Sequence, residues 1–583
     1  MKKKVNTNFI CAKLFVDQLV NDGLKYVCIS PGSRSTPLTS AFAADKKIKT
    51  FINIDERSSA FFAVGIAKSK NLPVAIVTTS GTAVAELYPA IIEAFQSRVP
   101  LIICSTDRPA YLRNSGANQT INQDNIFKNH IRWFYQMKLP SLKRKDMLEF
   151  RKIAKSAIHI STELNKGPVH INFQFEKPLE PSTYNSVIDT NVILSVKKEK
   201  ILFKPEIISR SADQLKKLAK KIAATKKGWI VAGPMIKDKS LFRKIILLSE
   251  KTGYPVFADG ISNIRSIKHK NIFTNYNLFL NSTTFRDQNE PDLILQFGRT
   301  PISSVLEKIF QKSNIPIYTI NIFGDRFDSR KKSAEIIKMN PVEFCDQLIS
   351  EIIKSNKIDS GYINNFFLAE TESKIIKDKF LARNNSKIEP VLLNEIINNL
   401  PSKTNVIIGN SLPVRDLDNF INYKNDIEFY FNRGASGIDG VTSTALGIAV
   451  KKNPAILVTG DLSFLHDLNA LMIAKKYPIA LTVFLINNNG GAIFRTLPVF
   501  SEKIFFNDYF LTPQNLDIKS IVSAFGLKYI KLKSNSHLKE LASTINRSKN
   551  FQIVEIVTDP ANSHQFREAI FSKIENKITK IFK

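Results

Sequence analysis

With 583 residues, of which 43% are hydrophobic and 23% charged, the chain is too long for one hydrophobic core and too apolar for a disordered protein. The net charge of +31 would suit an anionic polymer, but the lysines are scattered, their clusters are short, as at 197–200, and no nucleic-acid-binding motif accompanies them. Composition therefore favours a multidomain globular protein that does not bind nucleic acid and that has a weak preference for anionic ligands.

The N-terminal segment and the cysteines indicate in which cellular compartment the protein is expected. Residues 1–20 are basic, but Lys13 and Asp17 interrupt the apolar part, so the segment does not resemble a secretion signal. No apolar run approaches the ~20 residues that cross a membrane. The four cysteines have neither metal-binding nor disulfide spacing, and most lie in apolar segments. We therefore expect a soluble cytoplasmic protein with reduced thiols and no stable membrane insertion.

Short apolar strands alternate with amphipathic helical segments in three blocks. Strands are predicted at 26–30, 73–79 and 100–106, at 228–233, 292–298 and 315–321, and at 405–410, 454–460 and 479–487. Continuous apolar strands separated by amphipathic segments are typical of parallel sheets covered by helices on both faces. The sequence therefore predicts an α/β protein with three doubly wound parallel-sheet domains.

Two segments indicate the domain boundaries. A proline-rich segment at 177–186 follows the last strand pattern of the first block, and strand patterns disappear in the charged segment at 365–390. The predicted domains are residues 1–185, 195–360 and 380–583.

A faint internal repeat connects the outer blocks. Segments 73–81 and 454–462 each give a strand followed by small or polar residues, an apolar helix and a second strand led by proline. Either the outer domains are related and their strand ends face one ligand, or the similarity is the general likeness of α/β units.

Polar residues follow two neighbouring strands of the third block. Asp461 comes at the carboxyl end of strand 454–460, and Asn488 follows the next strand, so both side chains are expected at one edge of the sheet. By itself, the segment 486–491, INNNGG, is also typical of a simple turn. A carboxylate, a carboxamide oxygen and a carbonyl on a glycine-rich turn are, however, the hard ligands that Mg²⁺ prefers.

These segments resemble the diphosphate signature of thiamine-diphosphate-dependent enzymes, which is GDG, a spacer and NN. Here it reads Gly460-Asp461-Leu462-Ser463 and then NNN at 487–489, with Leu462 in place of the usual second glycine. The resemblance implies that Asp461, Asn488 and the carbonyl of Gly490 hold Mg²⁺ or Mn²⁺. It also implies that the motif residues bind the cofactor and that 380–583 is the diphosphate- and metal-binding domain.

The same resemblance assigns a role to Glu56, at the end of a strand and the start of an apolar helix. It matches the glutamate that contacts the cofactor's aminopyrimidine ring, so residues 1–185 would form the pyrimidine-binding domain and 195–360 a central α/β domain. The alternative is a surface acid that favours the helix dipole. In this family the two cofactor-binding domains meet between subunits, which implies a homodimer or a dimer of dimers.

Six motif segments narrow the resemblance within that superfamily. They are 30–38, 105–109, 116–123, 410–418, 432–440 and 487–494, and together they resemble the 2-succinyl-5-enolpyruvyl-6-hydroxy-3-cyclohexene-1-carboxylate synthases of menaquinone biosynthesis. The resemblance implies a transferase that decarboxylates 2-oxoglutarate and adds the resulting succinic-semialdehyde carbanion to isochorismate.

Both substrates carry two carboxylates, which arginine binds with paired donors. Besides Glu56, the residues that match the family's catalytic and substrate-binding positions are Ser33, Arg34, Arg108, Gln119, Ser411, Arg415 and Arg433. The apolar residues that match its cofactor site are Ile438, Ile493 and Phe494. A single arginine more often forms a surface salt bridge, and Ile438 would also suit a core. His466 is predicted to be structural.

One departure and two other functions stay open. Ser304 lies where a basic residue from the middle domain is expected, which leaves Arg299 or another group to bind isochorismate. A different thiamine-diphosphate lyase, such as an acetolactate synthase, would act on pyruvate, but the arginine-rich motifs disfavour so small a substrate. A nucleic-acid binder is suggested by the net charge alone.

Overall fold

A computed structural model of the chain describes residues 2–113, 115–163, 165–203, 212–312, 314–326, 334–352, 360–382, 387–423, 426–451 and 453–583. In chain order, its strands are β1 Lys2–Val5, β2 Tyr26–Ile29, β3 Lys49–Ile52, β4 Val74–Thr78, β5 Leu101–Asp107, β6 Trp133–Gln136, β7 Pro168–Gln174, β8 Ser186–Asp189, β9 Gly228–Ala232, β10 Val256–Ala258, β11 Ile272–Phe273, β12 Leu293–Phe297, β13 Ile317–Asn321, β14 Ala334–Lys338, β15 Asn405–Ile408, β16 Glu428–Tyr430, β17 Ala455–Gly460, β18 Thr482–Asn487, β19 Lys528–Lys531 and β20 Gln552–Val557.

The α-helices lie between these strands and after the last of them. In chain order they are α1 Thr7–Asn21, α2 Thr36–Ala43, α3 Glu56–Lys70, α4 Thr82–Ala85, α5 Tyr88–Ser97, α6 Arg144–Thr162, α7 Thr190–Lys198, α8 Ala212–Ala224, α9 Lys239–Thr252, α10 Tyr276–Phe279, α11 Thr283–Gln288, α12 Ser304–Lys312, α13 Pro341–Ile352, α14 Ser360–Leu381, α15 Glu389–Asn399, α16 Leu412–Phe420, α17 Val441–Ala449, α18 Asp461–His466, α19 Ala470–Lys476, α20 Lys503–Phe506, α21 Ile518–Ala524, α22 Asn535–Ser543 and α23 Pro560–Phe582. Among these helices, none is long and apolar enough to cross a membrane.

Three six-stranded parallel sheets confirm the predicted α/β architecture. The first sheet has the order β3-β2-β4-β5-β7-β6, the second β11-β10-β9-β12-β13-β14 and the third β16-β15-β17-β18-β20-β19. All nine predicted strands are present and parallel to their neighbours. Each large sheet lies inside one predicted domain range, and the exact boundaries stay predictions.

Several strands of the structure were not predicted, including the edge strands β11 and β16 and the strand β20, which lies next to the edge of the third sheet. The edge strands β11 and β16 have two and three residues, too few for a hydrophobic pattern. β20 begins with Gln552 and carries Glu555 among its apolar residues, and these two polar side chains interrupt the apolar run that marks a buried strand. β1 and β8 form an antiparallel pair that joins the start of the chain to the exit of the first domain.

The two outer sheets have the same connectivity, whereas the middle sheet does not. In both outer sheets, the strands numbered from the start of the sheet follow the order 2-1-3-4-6-5. The similar segments 73–81 and 454–462 supply the third strand of each, β4 and β17. The two segments of the sequence repeat therefore occupy equivalent positions in two domains of the same topology.

The outer domains pack tightly together through α3 and α17. A β-carbon at Gly65 would lie 2.1 Å from the carbonyl oxygen of Thr444, and one at Gly447 would lie 2.1 Å from that of Phe62. One hydrophobic cluster contains buried side chains of both domains, including Phe62 and Leu446. Glycine on each helix therefore permits a close contact that makes the outer domains one packed unit.

Candidate active site

A cavity of about 500 Å³ opens in the third domain, where β15, β17 and β18 end. Ligands of open α/β sheets bind at such carboxyl ends, on loops that leave neighbouring strands. Its lining includes the predicted residues Ser411, Arg415, Arg433, Ile438, Gly460, Asp461, Leu462, Ser463, Asn488, Gly490, Ile493 and Phe494. Residues predicted from four separate motifs thus share one cavity.

Asp461 is the first residue of α18, directly after β17. Its Oδ2 accepts a hydrogen bond of 2.7 Å from the backbone N–H of Gly490. Burial raises the pKa of this carboxyl to about 6, and the hydrogen bond from Gly490 opposes that rise. Even with its backbone hydrogen bonds this buried carboxylate keeps a raised pKa, and a bound cation would favour its charged form.

Asn488 follows β18 and lies at the same edge. Its Nδ2 donates a hydrogen bond of 2.7 Å to Oε1 of Glu389, while its Oδ1 is buried and has no partner within the described part of the chain. Buried polar atoms without a partner are rare in folded proteins, and a bound ion is one common reason for them. The free carboxamide oxygen therefore fits a metal ligand.

The turn after Asn488 has a backbone that other residues do not readily adopt. Asn489 has φ 57° and Gly490 has φ 139°, and a β-carbon at Gly490 would lie 2.1 Å from the carbonyl oxygen of Leu511. The glycine is thus required by both conformation and space. Asp461, Asn488 and this turn together form a set of hard oxygen donors that fits Mg²⁺ or Mn²⁺.

Two arginines form a cationic wall of the cavity. Arg415 donates a hydrogen bond of 2.8 Å to the carbonyl oxygen of Ser411, and Arg433 donates one of 3.3 Å to Oδ1 of Asn410. In the part of the chain that the structure describes, neither forms an ion pair. Burial lowers the pKa of both guanidinium groups, and their mutual repulsion adds to this effect at Arg415. An anionic ligand would relieve that electrostatic strain.

Apolar side chains close another side of the cavity. Ile438 is 39% exposed, so it is not a buried core residue, and Ile493 and Phe494 lie on the turn after Gly490. Ser463 donates a hydrogen bond of 3.0 Å to the carbonyl oxygen of Ile438 and holds its loop. The ring of Phe494 contacts Phe510 edge to face. These contacts give the cavity a rigid apolar surface.

A second cluster lies at the carboxyl edge of the first sheet. Arg108 donates hydrogen bonds of 2.6 Å to Oγ of Ser80 and 2.7 Å to the carbonyl oxygen of Gln119. Gln119 in turn donates one of 3.1 Å to the carbonyl oxygen of Ser80. Arg34 donates one of 2.7 Å to the carbonyl oxygen of Phe175. Burial lowers the pKa of Arg34, and repulsion from Arg108 lowers it further. Two neighbouring cations therefore occupy this edge too.

Ser33 and Glu56 belong to the loops of the same edge. Ser33 is exposed, one residue before Arg34. Glu56 is the first residue of α3, after the N-cap Asp55, and it is half-buried. Burial raises its pKa, and the nearby carboxylates of Asp55 and Glu86 add to the rise. A glutamate tuned in this way is suited to share a proton with a ring nitrogen.

The two clusters do not form one site within the chain. The described residues that line the cavity range from Glu389 to Leu497, so Ser33, Arg34, Glu56, Arg108 and Gln119 lie outside it. The predicted residues thus form two separate clusters, on two sheets of the same strand order. Their roles stay predictions.

Neither Ser304 nor Arg299, the two middle-domain residues that the sequence singled out, lines the cavity. Ser304 is exposed at the start of α12 and does not line the cavity. Arg299 is mostly buried and donates to the carbonyl oxygen of Gln96 in the first domain. Repulsion from Arg433 contributes to a lowered pKa of Arg299, although burial is the larger cause. His466 accepts a hydrogen bond from Arg57 through its backbone only.

The prediction missed a group of buried charges behind the cavity. Glu389 lines the cavity and pairs with Arg567, which also pairs with Asp416. Asp416 lies inside a motif that the sequence singled out, but Glu389 and Arg567 stand in segments without any motif. A charged residue in an otherwise apolar helix pattern is the one available signal, and it does not identify a partner.

Three domain families match the chain in order. "Thiamine pyrophosphate enzyme, N-terminal TPP binding domain" matches residues 11–126, "Middle domain of thiamine pyrophosphate" matches 203–378, and "Thiamine pyrophosphate enzyme, C-terminal TPP binding domain" matches 415–556. The third range contains Asp461, Asn488 and Arg433.

Full-length relatives share one name, 2-succinyl-5-enolpyruvyl-6-hydroxy-3-cyclohexene-1-carboxylate synthase. The protein of Oceanobacillus iheyensis is 34% identical over 97% of this chain and 97% of its own length. That of Listeria innocua is 33% identical over 98% of each chain, and that of Trichodesmium erythraeum is 35% identical over 95% of this chain and 96% of its own.

Among solved structures, benzoylformate decarboxylase from Polynucleobacter necessarius has a similar fold. The match has a TM-score of 0.68 at 15% sequence identity and covers 94% of this chain and 98% of that one. At this identity the likeness concerns the three-domain fold alone.

Proposed function

Because the chain belongs to the thiamine pyrophosphate enzymes and, within them, to the 2-succinyl-5-enolpyruvyl-6-hydroxy-3-cyclohexene-1-carboxylate synthase family, we propose that it joins 2-oxoglutarate to isochorismate in menaquinone biosynthesis. It is an enzyme that uses thiamine diphosphate. One observation carries the proposal: Asp461, Asn488, Arg415 and Arg433 line one cavity, and within the described residues the Oδ1 of Asn488 has no hydrogen-bond partner and neither arginine forms an ion pair. A cation site and a dianion site thus share one chamber.

In the third domain, Asp461, Asn488 and the carbonyl of Gly490 would hold Mg²⁺ or Mn²⁺, to which the cofactor's diphosphate binds. Gly460, Leu462 and Ser463 would border the diphosphate, and Ile438, Ile493 and Phe494 would bound the rings and exclude water. When bound, thiamine diphosphate supplies an electron sink for decarboxylation of a 2-oxo acid.

The chain's own side chains position the substrates. Arg415 and Arg433 bind and orient carboxylates, and the repulsion between them favours a dianion over a monoanion such as pyruvate. Ser411, held at φ 71° just before α16, offers a hydroxyl at the same rim. Backbone strain of this kind is common at ligand sites.

The first domain would supply the second half of the site. Glu56 would hold a proton at the pyrimidine ring nitrogen, and Arg34, Arg108, Ser33 and Gln119 would bind the other substrate's carboxylates. Because these residues lie outside the cavity of their own chain, we propose a homodimer, or a dimer of dimers, in which each cavity is completed by the first domain of a second subunit.

We place the enzyme in the cytoplasm. Its four cysteines are buried and unpaired, which suits a reducing compartment. Burial raises the pKa of the Cys11 thiol to about 12, so this thiol is protonated and unreactive at neutral pH.

The test is isochorismate consumption by the purified protein with thiamine diphosphate, Mg²⁺ and 2-oxoglutarate, with pyruvate in a parallel reaction. We expect loss of isochorismate with 2-oxoglutarate alone and only when both cofactor and metal are present. Consumption of pyruvate instead would identify an acetolactate-synthase-like lyase. No reaction with either acid would contradict the proposal.

A further inference from the structure

Behind the cavity, a buried ionic triad connects three helices that are distant in sequence. Glu389 begins α15, Asp416 lies in α16 and Arg567 lies in α23. Nη2 of Arg567 lies 2.5 Å from Oε2 of Glu389 and 2.6 Å from Oδ2 of Asp416, and its Nε lies 2.8 Å from Oδ1 of Asp416. The side chains are 4%, 3% and 10% exposed for Glu389, Asp416 and Arg567. Such a triad is largely removed from solvent, and its charges compensate one another through short hydrogen bonds.

One carboxylate oxygen of the triad faces the predicted metal ligand. Oε1 of Glu389 accepts the hydrogen bond from Nδ2 of Asn488, and it accepts a second one of 3.2 Å from Oγ1 of Thr558. A carboxylate paired with arginine can only accept, so it selects the amide nitrogen of Asn488. The carboxamide oxygen must then point away from Glu389, and it is this oxygen that has no partner.

The other end of the triad lies on the helix that carries Arg415. Asp416 is the neighbour of Arg415 on α16, and the fork of Arg567 fixes its carboxylate with two hydrogen bonds. The same helix begins directly after the strained Ser411. Arg567 therefore links the turn that carries the metal ligand to the helix that carries a substrate-binding arginine.

We propose that Glu389 and Arg567 are positioning residues: Glu389 orients the Asn488 carboxamide with its oxygen towards the metal, and Arg567 couples that orientation to the position of Arg415. The inference rests on the proposed metal and cofactor site. Residues that hydrogen-bond metal ligands typically change metal affinity by about 10- to 100-fold when they are altered.

The first variant is Glu389→Gln, which keeps the size of the side chain but replaces one accepting carboxylate oxygen with an amide nitrogen that donates. If the new amide nitrogen faces Asn488, the carboxamide must turn and present its own NH₂ to the metal; if it faces Arg567, two donors oppose each other. We expect Mn²⁺ affinity in the presence of thiamine diphosphate, measured from the paramagnetic resonance signal of free Mn²⁺, to fall by about tenfold or more.

A double variant distinguishes the orientation of the side chain at position 488 from a general disturbance of the site. In Glu389→Gln with Asn488→Asp, the glutamine can donate to an aspartate whose second oxygen faces the metal. We expect Mn²⁺ affinity to return to within about threefold of the parent protein. Glu395→Gln, on the other side of α15 with the surface partner Lys539, is the matched control and should bind Mn²⁺ as the parent does.

Arg567→Lys tests the coupling and replaces the first variant if that one fails to fold. A lysine cannot form the fork to Asp416 and also reach Glu389, so both Mn²⁺ affinity and the KM for 2-oxoglutarate should worsen. If folded Glu389→Gln binds Mn²⁺ as tightly as the parent protein, the inference is wrong. It is also wrong if Arg567→Lys changes neither Mn²⁺ affinity nor the KM for 2-oxoglutarate. Either result leaves the proposed function standing. A parent protein that binds no Mn²⁺ in the presence of thiamine diphosphate overturns the proposed function, and the inference with it.

Discussion

The first and third sheets have the same strand order but hold their functional loops in different ways. After β4, the loop is held by neutral groups: the N–H of Gly81 donates 3.0 Å to Oε1 of Gln123, whose Nε2 donates 2.8 Å to Oδ1 of Asn172. After β17 and β18, the loops are held by the buried charges of Asp461 and Glu389. One topology therefore supports two kinds of loop anchor: neutral side chains hold the loop after β4, at the edge that we call neutral although Arg34 and Arg108 also lie there, and buried charges hold the loops of the ionic edge after β17 and β18.

The difference follows from what each edge is proposed to bind. A metal and a diphosphate bring large charges, and fixed charged groups behind the ligands keep those ligands in place when the ion arrives. An aminopyrimidine ring is neutral or singly protonated, so a neutral network and a single glutamate of raised pKa suffice. Equivalent strands can thus be specialised by the loops that follow them.

The strongest test of the ionic edge is Asp461→Asn. Loss of the carboxylate removes the one charged oxygen from the predicted metal set, so we expect turnover to fall by about 10³-fold and Mn²⁺ binding to be lost. Steady-state kinetics and Mn²⁺ titration measure both effects. Asp378→Asn, at a surface ion pair on α14, is the control and should retain full activity. Normal Mn²⁺ binding in Asp461→Asn would remove the metal from this edge.

Glu56→Gln is the equivalent test of the neutral edge. Glutamine cannot exchange a proton with a ring nitrogen, so we expect kcat to fall by about 10²- to 10³-fold while thiamine diphosphate still binds. Calorimetry of cofactor binding alongside kinetics separates the two effects. The exposed Glu575→Gln on α23 should behave as the parent. Full turnover in Glu56→Gln would exclude Glu56 from the mechanism.

Lys68→Met tests the buried contact through which the first domain meets the third. Nζ of Lys68, in α3, lies 3.1 Å from Oε1 of Glu93 and donates hydrogen bonds of 2.7 Å to the carbonyl oxygen of Phe431 and to Oδ1 of Asn432, next to Arg433. Removing this buried cation leaves Glu93 uncompensated, so we expect unfolding free energy to fall by about 3–5 kcal/mol. Urea denaturation measures the change.

The control for that loss is Lys374→Met. Its ion pair with Asp378 is exposed on one helix, so the expected change in unfolding free energy is below about 0.5 kcal/mol. Equal losses of unfolding free energy in the two variants would mean that the buried contact of Lys68 adds no more stability than a surface ion pair.

The smallest expected effect is the pH dependence of stability that a buried histidine within the first sheet causes. His170 is fully buried beside Ser105, and burial lowers its pKa from 6.5 to about 3. Because the unfolded chain takes up the proton first, this group's stabilisation is complete above pH 6.5 and is lost as pH falls towards 3. We expect a loss of about 2 kcal/mol between pH 7.5 and 5 that His170→Gln does not show. Identical pH profiles of parent and variant in urea denaturation would contradict this.

The strands and the metal pair were predictable because their signals are local. An apolar run of five or six residues identifies a buried parallel strand without knowledge of its neighbours. Asp461 and Asn488 could be paired because consecutive parallel strands, β17 and β18, lie side by side, so their ends meet. Each prediction needed only the segment itself and the rule that joins successive strands.

The buried ion pairs and hydrogen bonds next to the predicted site residues could not be predicted from local patterns. Arg567 meets Glu389 and Asp416, and Lys68 meets Glu93 and the loop before Arg433, only because helices from distant segments pack at one place. A hydrophobic pattern tells which face of a helix is buried, not which helix covers it.

By itself, the sequence determined the α/β class, the positions of the nine predicted strands and the chemistry of their ends, since these depend on residue type and short-range order. The tertiary structure alone decided that the predicted residues divide into two separate clusters, and that the nitrogen of the Asn488 carboxamide meets Glu389 while its oxygen has no partner among the described residues. The reason is physical: which buried charge faces which amide is set by three-dimensional packing, which joins residues that the chain keeps far apart.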